Sequence, residues 1–428
     1  MKQRTTIRAA LIFFYAILLS HSPGLAFSFN NLRQQRSRPH HAASVEESSD
    51  VVEISSAPPS NSRWATHALL FSSWTDGVVP NPAAKSFLRY SIVNKLLKDH
   101  VAEKEDGLKS SVKFSPCNGP NVDALNNLET ADNLSDIGRE FSFDDFDTAV
   151  RNKVDSWAKE TLHYISTESR EEVTVKLLYI PTAMYALNPQ SSNTPGKQRQ
   201  RARADGKKRR TQVLNLLTTL LSADSSENLS FQTITLDLDD DSLKQPEGPD
   251  NSQFPKDGKE ALSSWDPTVI YFEGGNTFWL QHCIDKGEYS QLIIDACTGE
   301  SGSVYCGKSA GAIVAGNDVS TATWKEWDDP SVVPNRETYD DWKGTKGFQF
   351  SESLSYFPHM NDDWIELVND KIKGQECDET CCLREEDVCC IKGESKKTFV
   401  VSAEAAPESG NHSNLLSKDD VSAGDVTS

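Results

Sequence analysis

SVYCGKSAGAIVAG (residues 303–316) joins an apolar, β-prone run to a run of small helix-forming residues through a serine set between glycines. A strand that enters a helix through so sharp a turn pushes the side chain of Ser309 out of the carboxyl edge of a sheet. Gly307 and Gly311 leave room beside it for neighbouring chain. The N–H of Ala310 is then placed to point into an oxyanion site at the start of the helix. Alone the pattern is weak, because glycine and serine are common in tight turns. Its meaning depends on what else reaches the same edge.

The same strand–turn–helix order occurs about one helix earlier, in VIYFEGGNTFWL (269–280). Gly274 and Gly275 let backbone amides approach a reacting carbonyl, and Asn276 or Thr277 is placed to cap the following helix. A dinucleotide site would need G-x-G-x-x-G and a later acid, and this run lacks that pattern. Strands and helices alternate around both units. HALLFSS (67–73) reads as a strand, PAAKSFLRYSIVNKLLKDHV (82–101) as a helix, EVTVKLLYI (172–180) as a buried strand ended by Pro181, and TQVLNLLTTLLS (211–222) as a helix. FQTITLDLDD (231–240) alternates as a strand, and EYSQLIIDACTGES (288–301) closes a helix near Gly299. This order implies an α/β fold with a mostly parallel, doubly wound sheet and ligands outside the carboxyl ends of its strands. The ordered domain is expected over 64–401, with polar insertions at about 102–172, 187–210 and 240–264. The first insertion is expected to hold one or two helices. GKQRQRARADGKKRR (196–210) is poor in apolar residues and is expected to be a solvated loop. The Ser/Asp/Ala/Gly-rich stretch 402–428 is expected to be a disordered tail.

A serine nucleophile needs a base and an acid to orient it. His21, His40, His41 and His412 fall in the leader and tail, and His282 follows the glycine turn on a helix. His359 differs: it follows FSESLSYFP (350–358), at the end of an apolar run, where a strand's carboxyl edge would put it beside Ser309. For the acid, Glu385 stands in CCLREEDVCCIKG (381–393), in a turn before a strand, while Asp328 and Asp329 of TATWKEWDDP (321–330) lie between the serine and the histidine. A single histidine or carboxylate is most often a surface or structural group; the coincidence of three edge motifs is what singles these out.

The chain has 428 residues and a net charge of −19, which argues against a general nucleic-acid binder, since phosphate contacts need clustered cations. At the N-terminus, Lys2, Arg4 and Arg8 precede a short apolar run (9–19) and a small-residue cleavage site after Ala26. This pattern predicts a signal peptide over 1–26 and no stable membrane anchor. FSFNNLRQQRSRPHHAAS (27–44) has three arginines and no acid, so 27–63 reads either as a transit-like segment of a two-part plastid presequence or as a disordered spacer of a secreted protein. Five of the nine cysteines crowd into 377–390, four of them in two adjacent pairs whose side chains would point opposite ways on a strand. Metal binding is therefore the minor reading there; a loop disulfide or buried strand thiols are favoured. Sequons stand at Asn133, Asn228 and Asn411.

Taken in order, EGGNTFWL, GKSAGA and PHM resemble the peptidase E (aspartyl dipeptidase) and cyanophycinase family of serine peptidases. The resemblance is clearest over 269–385, with HALLFSS and LLYIPTA as weaker matches. It implies a class I glutamine-amidotransferase-like α/β fold, with Ser309 as nucleophile, His359 as general base, and Glu385, from CLRE, as the acid. Asp328 or Asp329 is the second choice, because the tryptophan-rich segment disturbs the register. The oxyanion donors implied are the amides of Gly275 and Ala310, and Gly274, Asn276 and Thr277 would shape the turn that receives substrate. The substrate expected is a small peptide or isopeptide, with no cofactor and no metal; the assembly state stays open, a homodimer included. Two positions depart from the family. Glu273 stands where a third glycine is frequent and is expected to tighten or block the turn. Asp362 and Asp363 stand where aspartyl dipeptidases carry basic residues, so a basic or amino-terminal group is the better fit.

Two rival readings follow from the same residues. Ser309, Asp328 and His359 satisfy the chain order of an α/β-hydrolase-type esterase, although that reading leaves GGNTF unexplained. A catalytically decayed module of the same fold would instead bind a peptide through Trp324, Trp327 and Trp342.

Overall fold

In the computed structural model of the protein the described residues are 64–73, 81–111, 148–168, 172–222, 229–244, 254–299, 301–374, 379–393, 396–402 and 415–417. The leader and spacer, the three sequons, Cys117 and Cys377 lie outside them. Strand β1 is His67–Phe71, followed by helices α1 (Pro82–Ser111) and α2 (Thr148–Glu168), strand β2 (Val173–Ile180), helix α3 (Pro195–Ser222), and strands β3 (Leu229–Asp237) and β4 (Ser242–Lys244). Next come α4 (Gly258–Leu262), β5 (Val269–Phe272), α5 (Thr277–Lys286), α6 (Ser290–Cys297), β6 (Val304–Lys308) and α7 (Ala310–Ala315). The remaining elements are β7 (Leu354–Phe357), α8 (Ile365–Lys373), β8 (Glu379–Cys382), β9 (Val388–Lys392), β10 (Lys397–Val401) and β11 (Leu415–Ser417).

The main sheet has the order β10-β9-β1-β6-β5-β2-β3-β4. Its five central strands, β1, β6, β5, β2 and β3, are parallel, and antiparallel strands close both edges. Strands buried on both faces read as unbroken apolar runs, which is why VIYF and HALLF carry no alternation. Alternate residues feed two cores. Leu69, Phe71, Leu177 and Tyr271 pack under α1, α2 and α3, whereas Ala68, Leu70, Leu178 and Phe272 pack against α5, α6 and α7. The architecture is thus α/β with a mostly parallel sheet between helical layers. Because the central strands run one way, Ser72, Pro181, Leu238, Glu273 and Ser309 all leave the same rim. A second, three-stranded sheet, β11-β8-β7, lies beside it, with β7 and β8 parallel.

Three expectations are corrected. The basic run 196–210 is helical, inside α3, rather than a solvated loop. Arg, Lys, Gln and Ala are good helix formers, and Pro195 suits the first helical position. Part of the positive charge is paired, with Arg199 on Asp239 (2.9 Å), Arg203 on Asp240 (2.7 Å) and Asp237 (3.4 Å), and Arg209 on Glu273 (3.2 Å). The segment 240–264 holds strand β4 and helix α4, where Asp257 caps the helix by accepting from the N–H of Glu260. The tail is not structureless throughout: Leu415–Ser417 pairs antiparallel with β8. In the insertion 102–172, α2 is the helix expected there, and it packs against α1 through rings of Trp157 and Tyr90 5.2 Å apart.

The turn into α7 depends on Gly311: a Cβ built there would stand 2.7 Å from both the Cβ and the carbonyl oxygen of Phe272. Gly311→Ala is expected to lower the unfolding free energy by about 1–3 kcal/mol, read from the denaturant midpoint of the full chain; an unchanged midpoint would show that β5 and α7 are not in this contact.

Candidate active site

Ser309 sits at the join of β6 and α7 with φ 48° and ψ −106°, a conformation a side-chain-bearing residue adopts only when its surroundings hold it there. Its N–H donates to the carbonyl of Phe71 on β1 (2.9 Å), and its own carbonyl accepts from the N–H groups of Ala312 (2.8 Å) and Ile313 (3.0 Å). Tyr305 donates its hydroxyl to the carbonyl of Gly311 (2.6 Å), fixing the far side of the turn. The serine side chain is left half-buried at the rim.

His359 follows β7 of the small sheet and also has positive φ (57°). Its Nε2 lies 2.9 Å from Ser309 Oγ and its Nδ1 lies 2.6 Å from Glu385 Oε1, in the turn between β8 and β9. The three residues proposed from sequence therefore meet in one hydrogen-bonded chain. Ser73 donates to the other carboxylate oxygen of Glu385. Burial raises the Glu385 carboxyl, but the hydrogen bonds from Ser73 and His359 and the nearby charges of His359 and Lys325 outweigh it, and the group is held below its ordinary value.

Ser72 and Lys325 place the histidine, and neither is singled out by the sequence. Ser72 Oγ accepts from the N–H of His359 (2.8 Å) and donates to the carbonyl of Leu383 (2.9 Å). Lys325 Nζ donates to the carbonyls of Pro358 (2.8 Å) and His359 (2.6 Å). Its ammonium stands 4.1 Å from the ring centre of Phe357, 4.5 Å from that of Trp327 and 5.3 Å from that of Trp364. Burial lowers its pKa to about 8, against the opposing influence of Cys382 and Glu385. A short HALLF-SS signal and a lysine between two tryptophans were the available clues, but their partners lie tens to hundreds of residues away.

The alternative acids have other work. Asp328 Oδ2 accepts from the N–H of Thr277 (2.8 Å), at the start of α5. Asp329 accepts from the N–H of Ser331 (2.9 Å), and its carbonyl accepts from Asn276 Nδ2 (3.0 Å). Of the two cap candidates, Asn276 takes the role, accepting from the N–H of Trp279 (2.8 Å). Gly275 adopts φ 150°, and a Cβ there would meet the Ala183 carbonyl oxygen at 2.3 Å, so the GGN turn lies tight against the segment after β2. Glu273 does not block this turn. Its buried carboxylate faces Lys308 Nζ (2.7 Å), Arg209 (3.2 Å), the Tyr179 hydroxyl (2.9 Å) and the N–H of Gly274 (3.2 Å).

Two further expectations change. Trp324 (4 % exposed) and Trp342 (0 %) are core residues, packed on Phe357 and Phe278, so they cannot form a binding surface with Trp327. Asp362 is paired with Arg384 (2.7 Å), which halves the acidity expected of the 362–363 pair. The cysteines of 381–390 are buried free thiols on β8 and β9. Among the described residues, Asp237, Asp239 and Asp240 lie close enough together to hold a cation, but each is already paired with Arg199 or Arg203. No helix among the described residues is long and apolar enough to cross a membrane.

Residues 253–399 match the model of Peptidase family S51. The matched segment runs from before β5 to β10 and contains the GGN turn, Ser309, His359 and Glu385, so the likeness to this peptidase family extends over the chain between the three short motifs as well as the motifs themselves. It supports a peptidase. No curated protein matches the chain. Among solved structures, a Listeria monocytogenes EGD-e protein named for peptidase E is similar at 16 % identity and a TM-score of 0.32, over 57 % of this chain and 95 % of its own. A peptidase from an acI-B1 Actinobacterium is similar at 17 % identity and a TM-score of 0.31, over 62 % of this chain and 91 % of its own.

Lys325 leads to a pH prediction. Burial disfavours its charged form, so the ammonium is complete below about pH 8 and is lost as pH rises through that value. Lys325→Met is expected to lower kcat on a cleaved peptide by roughly 10- to 100-fold, the equivalent of one charge-assisted hydrogen bond, with a smaller change in KM. Lys325→Arg should retain most of the rate and move the alkaline fall in kcat upward, because guanidinium stays charged. A Lys325→Met enzyme with the wild-type pH profile would refute the role.

Proposed function

We propose that this chain is a serine-type peptidase that hydrolyses small peptides or isopeptides through an acyl-enzyme. The observation that carries the reading is the chain Ser309 Oγ–His359 Nε2 and His359 Nδ1–Glu385, with Ser309 on a strained turn at the carboxyl rim of a parallel sheet. His359 accepts the hydroxyl proton as Ser309 Oγ attacks the scissile carbonyl carbon. The carbonyl π pair moves to oxygen, which the N–H groups of Gly275 and Ala310 receive. Collapse of the tetrahedral intermediate breaks the C–N bond, and His359 returns its proton to the leaving amine. Water then repeats the sequence on the ester, releasing the acid and restoring Ser309. Glu385 fixes the imidazole tautomer and balances its transient charge.

The esterase reading needs Asp328 on the histidine, and that carboxylate is engaged at Thr277 instead. The decayed-module reading needs an exposed tryptophan surface and gains nothing from an aligned triad.

A serine-directed phosphonate is expected to label the protein at Ser309, and Ser309→Ala should lose both labelling and peptide turnover; turnover surviving in that variant would refute the assignment. The choice of acid is tested separately. Glu385→Gln is expected to lower kcat by roughly 10²- to 10⁴-fold, whereas Asp328→Asn should change it by less than about tenfold. The reverse pattern would transfer the role to Asp328.

A further inference from the structure

Trp327 carries a large apolar surface into solvent beside the histidine: it is 59 % exposed, whereas Trp324 and Trp342 in the same segment are buried. Its ring centre lies 6.0 Å from that of His359. The indole is held from two sides, by Trp364 at its edge (5.6 Å, planes at 80°) and by the Lys325 ammonium 4.5 Å from its centre. An exposed aromatic fixed in this way has given up its rotamer freedom without covering its apolar area, which is the condition of a preorganised contact surface.

Its position relates it to one side of the reaction. The GGN turn and Ala310 border Ser309 where the carbonyl oxygen would be received. His359 stands on the side where the leaving amine must come to collect its proton, so the residue carrying that amine passes beside the imidazole. Trp327 is the large apolar group there.

Resting on the peptidase reading above, we propose that Trp327 forms the subsite for the leaving residue and selects an aromatic or large aliphatic side chain. An arginine or lysine side chain is disfavoured, because the indole already lies against the Lys325 ammonium, whose charge opposes a second cation. Acidic side chains are disfavoured by exposed Glu326 and Asp363, the chain neighbours of Trp327 and Trp364. An apolar ring or branched side chain meets neither penalty and removes indole surface from water.

The full chain is assayed on a dipeptide library in which each first residue is paired with Phe, Leu, Ala or Arg as the leaving residue, and kcat/KM is compared within each set. The expected ratio of Phe to Ala is roughly tenfold or more, with Leu between them and Arg no better than Ala. In Trp327→Ala the Phe/Ala ratio should fall to near one, and Trp327→Phe should keep an intermediate ratio. A ratio is insensitive to the fraction of folded enzyme, so loss of stability cannot mimic the result. Turnover with a wild-type ratio near one, or a ratio that survives Trp327→Ala, overturns the subsite and leaves the peptidase reading standing. No hydrolysis of any dipeptide, together with no phosphonate labelling of Ser309, overturns both.

Discussion

Ser72 makes two hydrogen bonds at the point where two sheets meet. It stands one residue past β1, in the main sheet, yet its hydroxyl receives the N–H of His359 and donates to Leu383, both of which leave strands of the small sheet. Ser309 is tied to the same strand end, since its N–H donates to Phe71. The adjacent Ser73 reaches Glu385. Three consecutive residues of β1 and its exit thus reference the nucleophile, the base and the acid to one backbone. Without that shared reference, a base on a second sheet would have no fixed distance to a nucleophile on the first, and sub-ångström placement is what proton transfer between them requires.

Backbone strain is the cost of this arrangement. Ser309 and His359 both carry positive φ, which L side chains resist. The surroundings over-determine each of them. Ser309 is pinned by β1 on its N–H side and by the first turn of α7 on its carbonyl side. His359 is pinned by Ser72 at its N–H and by Lys325 at its carbonyl. A neutral donor in place of Lys325 would make the same contacts more weakly; the ammonium strengthens both bonds, and burial shifts it toward deprotonation. The same enclosure that makes Lys325 a strong clamp makes it sensitive to alkaline pH.

The parts legible in sequence were those whose signal is local. Strand–turn–helix order and glycine spacing place Gly274, Gly275 and Ser309 at the rim, because the period changes within a dozen residues around each turn. His359, at the end of an apolar run, and Glu385, in a turn before a strand, were legible as edge candidates, but the choice of Glu385 over Asp328 and Asp329 came only from motif order, since nothing near either one reveals a partner 26 to 50 residues away. Ser72 was out of reach, with its contact 287 residues distant. The basic run of α3 differs from its expected loop for a related reason: composition shows the charge, but the carboxylates that pair with Arg199, Arg203 and Arg209, namely Asp237, Asp239, Asp240 and Glu273, arrive from the ends of later strands. Glu273 looked like an obstruction as a letter in place of glycine. In space its carboxylate accepts from the N–H of Gly274 at the start of the GGN turn and is held there by Lys308, Arg209 and Tyr179.

That buried cluster bears on the nucleophile as well. Lys308 is the residue before Ser309, and its ammonium is drawn to Glu273 on the neighbouring strand, so β5 and β6 are joined by charge at the level where their two glycine turns begin. A lysine there without Glu273 would hold an uncompensated charge in a poorly hydrated place, and Glu273 without Lys308 and Arg209 would do the same with opposite sign. Neither is replaceable alone. A glycine at 273 with its basic partners kept would leave Lys308 to find solvent, and the backbone it carries leads directly into the strained turn of Ser309. Glu273 is therefore one side of a pair, and its other side is the chain neighbour of the nucleophile.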